Sequence, residues 1–269
     1  MQLAPPATAT RSSVGDLLRA WRAKLRLSQL EVGLTAGVSS RHLSFIETGR
    51  ANASADLLVA LADVLDMPLR ERNALLLAAG FAPRYPETDL AAPNMAAMRQ
   101  AITRVLDAHD PYPGVALDRH WNIVIANAAA QRLVGALPPA LMAPAPNIFR
   151  AGLHPQGMAA FTSNFDEWGR YMLRELQRLA DDSLDSAAAV LLDEVRAYPN
   201  VQALLRKPAP APAHELLVPC VLDLHGQRLS LFTTLATFGS PRDVTLAELT
   251  VELFYPADAA TEIALRAVG

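Results

Sequence analysis

The side chains that do chemistry in enzymes are present in this sequence but not spaced for it. Six histidines are scattered along the chain, and no HExxH or other close pair gives the spacing a metal ion needs. His109-Asp110 stands just before Pro111 and reads as a helix end. Cys220 lies beside Pro219 in an apolar run, the setting of an inert core thiol. As the one cysteine, it can make neither a disulfide nor a Cys-based zinc site within the chain. Neither GxGxxG nor a GxxxxGK phosphate loop occurs, and no serine has a nucleophile-elbow context. The expectation is no catalysis, no metal and no built-in cofactor.

Residues suited to recognition are better placed. From Leu25 to Arg50 the chain reads LRLSQLEVGLTAGVSSRHLSFIETGR: a short helix, a turn centred on Gly37 and a second short helix. In a helix-turn-helix the second helix enters the major groove with its N-terminal residues on base edges. Ser39, Ser40, Arg41 and Ser44 face outward there, and Arg41 suits either guanine O6/N7 or a phosphate. Gln29 opens the first of the two helices, where its amide and the backbone N–H groups can hold a phosphate. Arg50 suits a phosphate contact. Glu47 reads as a local hydrogen bond or ion pair fixing the helix-end loop, and Leu30 with Val38 as the apolar contact between the helices. Double-stranded DNA is the expected partner.

The elements that must position these residues follow from capping and periodicity. Five helices start near Ser13, Ser28, Ser39, Ser54 and Pro68, and the last ends at Gly80. Three prolines in Phe81–Pro93 end this pattern. The expected layout is a disordered arm over 1–12, a helical domain over 13–86, a linker over 87–93 and a second domain over 94–269. In the latter, a helix around Met95–Leu106 precedes two short strands, Val115–Leu117 and Trp121–Ala126, joined as a hairpin. A short helix from Asn127, a Pro/Ala-rich loop over Leu137–Pro146, two helices (Phe165–Leu179 and Leu184–Val195) and an extended connector at Pro208, Pro210 and Pro212 come next. Three strands, Glu215–Leu224, Arg228–Phe238 and Val244–Tyr255, and a closing helix over Asp258–Ala267 complete it, with a hairpin turn at His225-Gly226. In the last strand Glu248, Thr250 and Glu252 alternate with Leu249, Val251, Leu253 and Tyr255, the period of a half-wet strand. The fold class is all-α followed by α+β.

Composition sets outer limits. At 269 residues and 51% apolar, the chain can build one or two domains. Residues 1–86 carry ten Lys/Arg against seven Asp/Glu, while 87–269 carry fourteen against twenty, so a polyanion would meet the front end. Met1–Thr10 lacks the basic start of a signal peptide, and no run nears eighteen apolar residues. A cytoplasmic protein with no membrane partner is expected.

SQLEVGLTAGVSSRHLSFIETGRANAS resembles the helix-turn-helix domain of lambda-repressor and Xre-like regulators. LADVLDMPLRERNALLLAAGFAP and LFTTLATFGSPRDVTLAELTVELFYPADAATEIALR are similar to the domain exit and the C-terminal domain of MmyB-like bacterial transcription regulators. Asn52-Ala53-Ser54 departs from the family's usual proline before the serine. The resemblance implies a five-helix lambda-repressor-like domain and a PAS-like ligand-binding domain, an antiparallel sheet with covering helices. Between sheet and helices such a domain can leave an apolar cavity. Phe165, Trp168 and Met172 then form its lid, with Trp121, Ile123 and Phe232 or Phe238 as its floor. Arg150, His154 and Asn164 are candidate anchors for a polar head. A bound fatty acid or similar apolar effector, such as a polyketide-like molecule, is expected, in a homodimer regulating transcription. The alternatives are a constitutive DNA-binding dimer whose second domain only dimerises, or a protein-partner module.

Overall fold

Each of the first five helices carries its own start signal. In the computed structural model, which describes residues 12–182, 186–208, 217–224 and 226–268, α1 (Val14–Lys24), α2 (Gln29–Ala36), α3 (Ser40–Glu47) and α4 (Ala55–Val64) are capped by Ser13, Ser28, Ser39 and Ser54. Each serine hydroxyl accepts the backbone N–H three residues on, a donor the helix itself leaves unpaired. Asp16 and Glu31 complete capping boxes. Pro68 stands immediately before α5 (Leu69–Ala78). The helices enclose Leu18, Trp21, Val32, Leu43, Leu61 and Leu75, all buried. Each fully buried leucine contributes about 1.5–3 kcal/mol.

The rest of the chain runs α6 (Ala96–Asp107), β1 (Gly114–Leu117), β2 (Ile123–Ala126), α7 (Ala128–Val134), α8 (Ile148–Leu153), α9 (Phe165–Asp182), α10 (Ser186–Arg196), α11 (Pro199–Arg206), β3 (Cys220–Leu224), β4 (Gln227–Thr237), α12 (Val244–Ala247), β5 (Thr250–Pro256) and α13 (Ala259–Val268). The order of two strands, helices and three strands is the expected PAS-like one. The five strands form one antiparallel sheet in the order β2-β1-β5-β4-β3. Its two faces have different companions. Ala116, Leu249 and Val251 pack with Ile102 and Leu106 of α6. On the other face Val115 pairs with Glu252, which pairs in turn with Leu235, so these three side chains stand side by side. Residues 1–11 of the expected arm, with Leu184, Pro210, Pro212, the strand residue Glu215 and the hairpin residue His225, lie outside the described residues. Gly226 has φ +79°, as a tight turn requires.

The chain divides into two units, and neither is one continuous stretch. The first holds the residues up to Thr88 together with Ser240–Ala247; the second holds Asp89–Gly239 and the residues from Glu248 on. Ser240–Ala247, inside the stretch 94–269 expected for the second domain, thus groups with the helical unit. Within the first unit the Val244 N–H donates to the Pro86 carbonyl at 2.8 Å, and the Thr88 N–H to the Asp243 carboxylate at 3.2 Å. Nor is Val244–Tyr255 one strand. Asp243 accepts the N–H groups of Thr245 (2.9 Å) and Leu246 (3.4 Å), and this cap turns Val244–Ala247 into α12 before β5 begins.

Candidate DNA-reading surface and ligand pocket

The turn between α2 and α3 depends on two glycines. Gly37 takes φ +71°, the left-handed conformation expected for it. Gly33 is needed for closeness: a Cβ there would lie 2.7 Å from the Val38 carbonyl oxygen. The apolar seam differs from the expected one. Val32 is buried and Ala36 packs beside it, whereas Leu30 is 57% exposed. At 3.6 residues per turn Leu30 sits about 200° around α2 from Val32, facing away from the core.

The expected reading residues gather on and around α3. Ser39 spends its oxygen on the cap, accepting the His42 N–H at 3.1 Å. Ser40 and Ser44 are half-buried, and Arg41 and Arg50 are exposed. The Arg41 guanidinium lies 5.4 Å from the centre of the Phe45 ring, one helical turn on, a cation–π contact that limits its wandering. Glu47 does more than fix a loop. Fully inside the fold, it accepts Arg22 Nε at 2.8 Å, Arg22 Nη2 at 3.0 Å and Gln29 Nε2 at 2.7 Å, tying α3 to α1 and α2. Gln29 therefore gives an amide N–H to Glu47. Hydrogen bonding to Glu47 also pushes the Arg22 pKa up.

In the second unit a cavity of about 320 Å³ opens between the sheet and α7–α9. Of the expected residues, Trp121, Ile123, Trp168, Met172 and Phe232 line it. Trp121 holds φ +64°, which is rare for a bulky side chain. Phe165 does not line the cavity: its ring packs over Gly169 in the core of α9–α11. Phe238 packs on the α6 face. Arg150 does not line the cavity either. Its guanidinium is held by both carboxylate oxygens of Glu194 on α10 at 2.7 Å, and Tyr198 donates to the same carboxylate at 2.8 Å. His154 packs edge-on to Tyr198, and Asn164 bonds the backbone at Pro219 and Val221.

Cys220 lies in the cavity wall, and burial pushes its thiol up to about 12, which keeps it protonated and inert. The residue the sequence reading missed is Glu252. Read as the wet edge of a strand, it is 8% exposed and faces the cavity. Thr233 bonds its carboxyl, but Oε2 is buried without a partner, and desolvation pushes its pKa up to about 7. Burial and the carboxylates of Glu175 and Glu252 raise the Tyr171 pKa in the same wall.

Residues 98–268 match the model of the MmyB-like transcription regulator ligand binding domain, and residues 18–72 match a helix-turn-helix model. The chain belongs to the MmyB-like transcription regulator family. As an MmyB-like regulator it joins a DNA-binding helix-turn-helix to a domain for a small-molecule effector. No curated protein matches the chain. Among solved structures, the PAS domain from Bordetella pertussis BvgS is similar at 13% identity, covering 64% of this chain and 95% of that one. The TM-score is 0.28. Among the described residues of this MmyB-like regulator, no helix is long and apolar enough to cross a membrane, and no cluster of three or more His, Cys, Asp or Glu is placed to hold a metal.

Proposed function

We propose that this chain is a cytoplasmic, non-catalytic homodimeric regulator whose DNA binding responds to an apolar effector of acyl-chain or polyketide type. The observation that carries the reading is the 320 Å³ cavity in the domain matched to ligand binding. Its volume is about twice the ~150 Å³ of an apolar cavity that takes up benzene. Ser40, Ser44 and the hydroxyl hydrogen of Ser39 read bases, Arg41 takes a guanine or a phosphate, and Gln29 and Arg50 hold phosphates. Two copies are needed because one short helix reads only a few base pairs, and half-sites about 34 Å apart multiply specificity. The effector acts by binding one arrangement of the two recognition helices better than another, since only differential affinity shifts such an equilibrium.

Native mass spectrometry of freshly purified protein, with extraction of any bound molecule, tests this. A dimer carrying a discrete added mass, and DNA affinity that changes when the mass is stripped, is expected. A bare dimer with unchanged DNA affinity in the presence of the extract would favour a constitutive dimerisation module.

A further inference from the structure

The cavity described above is mostly apolar, and the charged side chains in its lining share one sign. Glu252 on β5 is more than nine-tenths buried, lines the cavity and leaves Oε2 without any hydrogen-bond partner. The large majority of buried side-chain polar atoms have a partner, so an orphan carboxyl oxygen on a cavity wall is a candidate acceptor for a donor from outside the chain. The surrounding charges agree. Among the described residues of the lining, the charged side chains are Glu252 and Glu175, with no Lys, Arg or His. Tyr171, also in the lining, feels both carboxylates, and it feels Arg174 and Arg178 from its own helix. Arg178 pairs with Glu175 at 2.9 Å. Arg150, the one cation the sequence placed at a pocket mouth, is spent on Glu194.

We propose that Glu252 is the head-group site of the pocket and that its effector is an organic ammonium, an apolar body carrying a protonated amine. The amine N–H donates to Oε2, and its charge is met by a carboxylate in a setting where water is displaced. Trp121 and Trp168 in the same lining are of the type whose ring faces attract cations. A fatty acid of equal length would bring a second anion beside Glu252 with no cationic side chain in the lining to offset it. This inference deepens the apolar-effector reading and rests on it.

Three probes of one length separate the two: decylamine, decanol and decanoate, titrated at pH 7.5 by calorimetry into the full chain and into Glu252→Gln, an isosteric change. Decylamine is expected to bind at least tenfold more tightly than decanoate in the wild type, and Glu252→Gln to shrink that ratio to about threefold or less while leaving decanol unchanged. Decanoate binding as tightly as decylamine, or a preference that survives Glu252→Gln, overturns the head-group assignment and leaves the apolar pocket standing. Failure of all three probes to bind overturns both readings. The wild-type comparison needs no variant, so a folding defect in Glu252→Gln does not blunt the test.

Discussion

Replacing Glu47 by alanine removes the junction of three helices, and the size of the effect follows from what is left behind. The Glu47 side chain is 1% exposed and that of Arg22 is 22% exposed. Without the carboxylate, a largely buried guanidinium loses both of its carboxylate bonds and the Gln29 amide loses its acceptor. Removing one partner of a buried pair costs about 3–5 kcal/mol, because the other charge stays desolvated. Domains are stable by only about 5–15 kcal/mol, so this is a large share. At roughly 4–8 °C per kcal/mol for a unit of this size, the melting point falls by about 12 °C or more. Trp21 sits in the core of this unit, so its fluorescence reports the unfolding alone once Trp121 and Trp168 are replaced by phenylalanine. The paired change Arg22→Met with Glu47→Leu should cost clearly less than Glu47→Ala, since it leaves no orphan charge. A loss below about 1 kcal/mol for Glu47→Ala, or a double variant no better than the single, would refute the reasoning.

Three further outcomes are expected. Glu252 binds its proton more tightly in the fold (about 7) than in the unfolded chain (4.5), so stability falls as pH rises through that window, and the penalty is complete above it; in urea titrations Glu252→Gln should be more stable than wild type by about 3 kcal/mol at pH 8 and nearly equal to it at pH 4.5. Gly33→Ala drives a methyl group to 2.7 Å from the Val38 oxygen and should cost about 1–3 kcal/mol, with loss of DNA retardation in gel shifts at temperatures where the wild type binds. Arg41→Ala should cost about 1–3 kcal/mol on specific DNA if it reads guanine, whereas equal weakening on random DNA with a salt slope reduced by about one makes it a phosphate contact.

What could be read from the chain was what acts over a few residues. Serine caps at 13, 28, 39 and 54 and the left-handed Gly37 follow from local hydrogen bonding and backbone sterics. α8 and α11, six and eight residues long, have no period of their own to show, and like the equally short α2, α3 and α7 they are marked only by a start signal, here Asn147 and Pro199. The partners of Glu47 lie 25 and 18 positions away, beyond any local pattern. Glu252 was misplaced for a different reason. Alternation shows that a strand has two faces and not which of them meets water; here helices pack over both faces, so an acidic residue on the apparent wet side ends up in a cavity. Arg150 followed the same rule in reverse: its charge was legible, but not that Glu194 would take it.

The detour of Ser240–Ala247 into the helical unit bears on how such a protein can be inherited. A chain whose two units met at one peptide link could exchange its sensor by a single crossover, and the DNA-binding half would arrive whole. Here a crossover near Thr88 would hand the new protein a helical unit stripped of α12 and of the partners of Pro86 and Thr88. The incoming sensor would have to supply, between its own fourth and fifth strands, a segment shaped for a stranger. A sensor exchanged at Thr88 alone would therefore carry off eight residues of the helical unit.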